Sequence, residues 1–189
     1  FRRVLFRSLD SDRDTPEEVG NILRIFPNVL RDNPSAVFRC SESIRSVVFV
    51  PQIALLDIEF RGGDGDGDDD RGGLLLPCER RDDGDGRRNT TNALQNLVRN
   101  PGGDNCSVED ANIADDRYAT VLKTLWKTGL LKKKDVKEQS LLRELIVARN
   151  DGSDRFPSKR FRFLVEELDP NALSRKDSHR NRLLHAAAK

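Results

Sequence analysis

Twice in this chain an amphipathic helical stretch runs into a proline–asparagine pair followed by an apolar residue and a leucine. The first is Phe26-Pro27-Asn28-Val29-Leu30 and the second is Asp169-Pro170-Asn171-Ala172-Leu173. Proline lacks the amide proton a helix needs and restricts the residue before it, so each pair ends the helix in front of it. Ahead of the first, Val19, Ile22, Leu23 and Phe26 fall at i, i+3, i+4 and i+7, one face of a helix. Ahead of the second, Phe161, Leu164, Val165 and Leu168 repeat the pattern. The two faces lie 142 residues apart and the two prolines 143, so the second copy holds one extra residue between helix and turn. A helix–turn element used twice points to a helical repeat, an architecture whose stacked units present binding surfaces.

The rest of the chain reads in the same way. Thr15-Pro16-Glu17-Glu18 predicts a helix start, with Thr as N-cap, Pro in the first turn and Glu closing a capping box. A short helix is expected before it, within residues 1–9. Tyr118, Val121, Leu122, Leu125 and Trp126 form the cleanest apolar stripe, with Asp115 or Asp116 as N-cap and Gly129 just past the end. Lys132, Lys133 and Lys134 follow it, where positive charge suits the carbonyl end. Leu141, Leu142, Leu145 and Ile146 mark another helix, and a further one is expected at about 92–99. The β-branched run from Val47 to Leu56 suits a strand by composition, but Pro51 and the repeat context favour a helix. Residues 61–73, RGGDGDGDDDRGG, hold six Gly and five Asp and predict a solvated, disordered acidic loop. No continuous alternation supports a sheet.

Charged residues make up 34% of the 189 and apolar ones 36%, with a net charge of +1. That balance argues against a general nucleic-acid binder and against a membrane-surface protein. No stretch approaches the ~18 apolar residues that span a bilayer, and Phe1-Arg2-Arg3-Val4-Leu5-Phe6 is too short and too basic for a secretory signal. Three scattered cysteines, Cys40, Cys78 and Cys106, fit a reducing compartment better than a disulfide framework. The expected location is intracellular and cytoplasmic, with the nucleus as the alternative. The sequons at Asn89 and Asn105 are then fortuitous. Methionine is absent throughout, so the chain is expected to be a fragment of a longer protein.

The closing segment carries a resemblance. Arg180-Asn181-Arg182-Leu183-Leu184-His185-Ala186-Ala187-Ala188 is similar to the ankyrin motif G-x-T-P-L-H-x-A-A at Leu184, His185, Ala187 and Ala188. It departs where Arg180, Arg182 and Leu183 replace Gly, Thr and Pro. A weaker copy runs from Asp83-Gly84-Asp85-Gly86-Arg87 to Leu94, with Gln95 in the histidine slot. A third begins at Ser140, with Leu142 in the leucine slot and Arg143 in the histidine slot. The chain also resembles a lineage-expanded family of divergent ankyrin-like proteins of unicellular algae. That likeness rests on 49–59, 71–75, 130–136, 156–165 and 169–189.

The resemblance implies an all-α ankyrin-like helical repeat solenoid with degenerate hairpins and the acidic loop inserted. Residues 1–189 form one array, with approximate units 1–26, 27–60, 61–131, 132–168 and an incomplete 169–189. It also implies structural roles for Leu184, His185, Ala187 and Ala188. The expected function is a non-enzymatic, monomeric protein-interaction scaffold. Its partner contacts would come from hairpin tips: Asp83, Asp85 and Arg87 in one, Lys176, Asp177, His179 and Arg180 in the other.

The residues suggest little other chemistry. His179 and His185 have no Cys, Asp or Glu at metal-ligand spacing, and neither sits in a nucleophile–base arrangement. Asp64, Asp66 and Asp68 alternate as in a calcium loop, but Asp69 and Leu75 stand where that loop needs Gly and Glu. The glycines among them are interleaved with Asp, which repels phosphate. No cofactor, metal or catalytic residue is therefore expected. Arg155, Lys159, Arg160 and Arg162 read as a solvated basic helix face, and Tyr118 and Trp126 as core. The alternative function is an irregular helical domain with affinity for nucleic acid or an acidic partner, through the basic stretches 123–137 and 155–162.

Overall fold

Thr15 opens the first described helix of the structure, a computed structural model that describes residues 15–32, 34, 41, 45–61, 71–81, 88–99, 108–147 and 156–174. The chain divides into two compact units, Phe1–Asn96 and Leu97–Lys189. The division falls inside the span expected as one repeat, 61–131. The described residues are mostly helical, with one short antiparallel ribbon.

In the first unit, α1 (Pro16–Ile25) begins with the expected capping box. The Glu18 amide donates to the Thr15 hydroxyl at 3.3 Å, and the Thr15 amide donates to the Glu18 carboxylate at 2.7 Å. Val19 and Leu23 are buried. At the far end the Phe26 amide donates to the Ile22 carbonyl, four residues back, at 2.8 Å. Pro27 and Asn28 then turn the chain, the Val29 amide donates to the Phe26 carbonyl at 3.0 Å, and α2 (Val29–Asp32) follows.

A 3-10 turn (Val47–Phe49) leads into α3 (Val50–Arg61), so the β-branched run is helical, with Pro51 in the first turn where its missing amide proton costs nothing. Val50, Ile53 and Ala54 are buried along it. Only the two ends of the Gly/Asp segment are described, and the C-terminal one is packed. Arg61 closes α3, and Arg71, Gly72 and Leu74 are buried in a turn against that helix. Gly72 has φ +57°, and a Cβ there would overlap the Ala54 carbonyl oxygen, so only glycine fits. Residues 62–70 lie outside the described residues. Buried charges of opposite sign, Asp57 on α3 and Arg71 in the turn, belong to these two touching elements.

Strands β1 (Cys78–Arg81) and β2 (Arg88–Thr91) pair antiparallel, with Cys78 opposite Thr91 and Arg81 opposite Arg88. Four-residue strands are too short to show as alternation. Helix α4 (Ala93–Arg99) follows at once. The Gln95 amide donates to Asn92 Oδ1 at 2.9 Å, and the Asn92 amide donates to Gln95 Oε1 at 3.0 Å. Gln95, expected in the histidine slot of a repeat, closes the cap of its own helix.

The second unit is organised on α5 (Val108–Lys127), twenty residues long. It begins seven residues before Asp115, so neither Asp115 nor Asp116 is its N-cap. Tyr118, Leu122 and Leu125 are fully buried, but Trp126 is 40% exposed and is not a core residue. Gly129, at φ +76°, ends the helix in the left-handed conformation that favours glycine. The lysine run opens the next helix rather than closing this one. Lys132 precedes α6 (Lys133–Glu138), and its amide donates to Asp135 Oδ2 at 2.7 Å. Helix α7 (Leu141–Val147) buries Leu141, Leu142 and Leu145 as its spacing predicts.

Helix α8 (Ser158–Arg162) continues without a break into a π-helical segment, Phe163–Leu168. Its last bond runs from the Asp169 amide to the Leu164 carbonyl, five residues back, at 2.9 Å. The residue found in excess between the second helix face and its proline is therefore absorbed as a widened turn. Beyond it the two copies coincide. Phe26 has φ −131°, ψ 77° and Asp169 has φ −142°, ψ 82°. The Ala172 amide donates to the Asp169 carbonyl at 2.9 Å, as Val29 does to Phe26, and a 3-10 turn (Ala172–Ser174) follows.

Candidate functional site

All the site residues drawn from the resemblance lie outside the described residues. Asp83, Asp85 and Arg87 fall between β1 and β2, and Lys176, Asp177, His179, Arg180, Leu184, His185, Ala187 and Ala188 fall after Ser174. The same holds for Asp64, Asp66 and Asp68 of the calcium pattern. A different constellation is described, in the second unit, where α5 faces α8 and its π extension.

Its foundation is a buried ion pair. Arg160 is 3% exposed and its Nε donates to Asp115 Oδ1 at 2.8 Å. The basic cluster 155–162 is therefore not a uniform solvated face. The other end of the guanidinium donates from Nη1 to the carbonyls of Leu97 (3.2 Å) and Val98 (3.0 Å), in the last turn of α4. Those carbonyls have no partner within the helix, so Arg160 acts as a C-terminal cap. The guanidinium also lies 5.1 Å from the Tyr118 ring centroid, a cation–π distance. Asp115 is equally occupied: its Oδ2 accepts the Lys159 amide at 2.8 Å and its Oδ1 the Arg160 amide at 3.4 Å. It thus caps α8, whose own N-cap, Pro157, offers no side-chain acceptor. Burial pulls the Arg160 pKa below its ordinary value, while the hydrogen bond and charge of Asp115 oppose that pull.

Above this pair the two helices enclose a cleft of about 340 Å³. From α5 it takes Asp116, Ala119, Thr120 and Lys123, at i, i+3, i+4 and i+7 on one helix face. From the other side come Ser158, Lys159 and Arg162, with Phe163 and Glu167 from the π segment. Phe163 and Ala119 are buried and form the floor. Two ion pairs cross between the walls with opposite polarity: Lys159 Nζ to Asp116 Oδ1 at 2.8 Å, and Lys123 Nζ to Glu167 Oε1 at 2.7 Å. Lys123 Nζ also lies 5.8 Å from the Phe163 ring centroid. Arg162 on the rim has Glu166 at 3.6 Å, one turn on. The Thr120 hydroxyl donates to the Asp116 carbonyl at 2.8 Å, the first of three such bonds made by Thr120, Thr124 and Thr128 along α5.

The cross-cleft pairs are half exposed, 53% and 62% for Lys159–Asp116, 45% and 50% for Lys123–Glu167. Pairs this accessible contribute about 0–1 kcal/mol each, because water screens them and both long side chains must be held still. The cleft is therefore lined by charges that are easily re-paired, over an apolar floor, on a frame held by the buried Asp115–Arg160 pair. Such a site suits recognition of a charged, extended ligand. The sequence held a signal for it: an acidic dipeptide, Asp115-Asp116, and a basic one, Lys159-Arg160, of complementary charge on two amphipathic helices. Their 44-residue separation hid the pairing.

Among the described residues, no three His, Cys, Asp or Glu side chains are gathered as metal ligands, and no helix is long and apolar enough to cross a membrane. No family model matches the chain, and searches of curated proteins and of solved structures returned no match.

Proposed function

We propose that the chain is a non-enzymatic protein-interaction scaffold of divergent ankyrin-repeat type, built from helical units. The observation that carries this reading is the recurrence of one element in both units. Each has an amphipathic helix, a residue at nearly the same φ and ψ before Pro-Asn, and then a short helix opened by an equivalent backbone bond. The order ribbon, then capped helix, in β1, β2 and α4 is also the order in which an ankyrin unit passes from hairpin to first helix. Repeats bury a core between neighbours and leave turns and helix faces for partners.

The reading is tested by crosslinking the full chain to its partners in a cell extract, with two multiple-alanine variants. One replaces Asp83, Asp85 and Arg87, and the other Lys176, Asp177, His179 and Arg180. Loss of a reproducible crosslinked partner in either variant supports contact through the hairpin tips. An unchanged crosslink pattern in both sinks it.

A second reading, affinity for an acidic partner or nucleic acid, is favoured by the cleft, which draws Lys123 and Lys159 from the two basic stretches to one place. Two carboxylates among three cations there suit a short acidic segment better than a phosphate backbone, which rewards many uncompensated cations.

A further inference from the structure

We infer that the cleft between α5 and α8 docks an acidic peptide segment of a partner protein, whose carboxylates displace Asp116 and Glu167 from Lys159 and Lys123. This rests on the reading of the chain as an interaction scaffold and assigns one of its contact surfaces. Charge complementarity supplies the occupant. Cations enter from both walls, Lys123 from α5 and Lys159 and Arg162 from α8, against two carboxylates in the cleft lining, with Glu166 beside Arg162 on the rim. Those carboxylates are at least half exposed and swing into solvent without opening the core.

An incoming Asp or Glu side chain would rest its methylenes on Ala119 and Phe163 and place its oxygens between the lysines. The π segment contributes to this shape. Phe163 and Glu167, the floor and the second place-holder, both belong to it, and widened helical turns recur at functional sites. Asp115 holds the N-terminal turn of α8 against α5, so the walls are set before a ligand arrives.

The proposal makes a prediction that a merely basic surface would not. Removing a place-holder carboxylate should strengthen binding, because the ligand no longer competes with it. The test uses the full chain and the fluorescence anisotropy of a labelled Gly-Glu repeat dodecapeptide. A Gly-Lys peptide of equal length and a single-stranded oligonucleotide of equal charge serve as competitors. Glu167→Gln and Asp116→Asn should each tighten binding about threefold, and Lys123→Glu with Lys159→Glu should weaken it at least about tenfold. All four side chains are about half exposed or more, and melting temperatures near that of the parent chain confirm that the variants fold.

The proposal is overturned if the place-holder variants bind no better, if the lysine variants bind as well as the parent, or if the oligonucleotide displaces the peptide more strongly than unlabelled peptide does. Failure here with crosslinks still lost in the hairpin variants removes the cleft and leaves the scaffold reading standing. Success here with hairpin crosslinks unchanged does the reverse for the hairpin tips.

Discussion

Thr15 and Glu18 fix the start of α1 from three residues away, whereas the start of α8 is fixed by Asp115, 44 residues back in the chain. The two helices meet the same requirement, partners for amides that a helix leaves unpaired at its N-terminus. One meets it locally and the other through tertiary structure. They then differ again near their ends, where α1 stays α-helical and the second helix widens into a π segment before the Pro-Asn turn. An element can thus keep its exit geometry while its entry and its length change. The Pro-Asn turn is the part held in common, and the helix in front of it adapts to each unit.

The contrast is broken most severely at Asp115. Asp115→Ala leaves the buried Arg160 charge without its counter-charge and two amides of α8 without their acceptor, and should cost about 3–5 kcal/mol in urea unfolding. Replacing Asp115 and Arg160 together by Leu and Met should recover much of that loss, since neither charge is then stranded. If the double variant is no better than the single, the cost lies in the lost caps rather than in the stranded charge.

Next in size is the helix length. Deleting Val165 gives the second helix the ten residues of the first, but it must rotate Leu168 and Asp169, which are 2% and 0% exposed. We expect a loss of about 1–3 kcal/mol from forced repacking. Inserting one Ala after Arg24, the mirror experiment, should cost less, because it leaves the buried Leu23 in place and shifts Ile25 and Phe26, which are 70% and 38% exposed. Equal losses would show that the π segment carries no register of its own.

The smallest effects belong to the caps. Thr15→Ala should cost about 1 kcal/mol, while Ser158→Ala, in a helix whose amides are capped by Asp115, should cost close to nothing by thermal unfolding. The local cap is also sensitive to acid. Hydrogen bonds from the Thr15 amide and hydroxyl hold the Glu18 carboxyl below its ordinary value of 4.5. Its contribution is present above that value and is lost as pH falls through the lowered one. Glu18→Gln should therefore lower stability slightly at neutral pH, where the carboxylate's contribution is present, and flatten the stability–pH curve below about pH 4.5, where that contribution is already being lost.

These differences also mark what could be read in advance. The α1 cap was legible because all its atoms belong to four adjacent residues. Both Pro-Asn turns were legible because proline acts on its own neighbours. The extra residue appeared as a mismatch of 142 against 143, but its absorption by a π turn depends on which downstream residues are buried, and spacing cannot show that. Asp115 and Asp116 look like caps for α5 in the sequence because the apolar stripe starts only at Tyr118. The preceding turns are weakly apolar, with Ile113 46% exposed, and stay helical for reasons outside their own pattern. Arg160 offered a clue, since it shares a face with Phe163 and Leu164 at i+3 and i+4 and so lies in the buried stripe. Pairing it with Asp115 needed the fold. The cleft was out of reach because its two walls are independent amphipathic helices until something fixes their faces together.

The reach of the Arg160 side chain has a kinetic consequence. Its bonds to Leu97 and Val98 join residues 63 and 62 positions apart, and its bond to Asp115 spans 45. Closing loops of that size must precede any gain from the contact, so this corner of the second unit should assemble late, after locally specified helices such as α1 have formed. Until it closes, α8 has no N-terminal cap, and Lys159 and Arg162 of its wall have no opposite wall. Binding competence in the cleft would then arrive only with the last long-range step of folding.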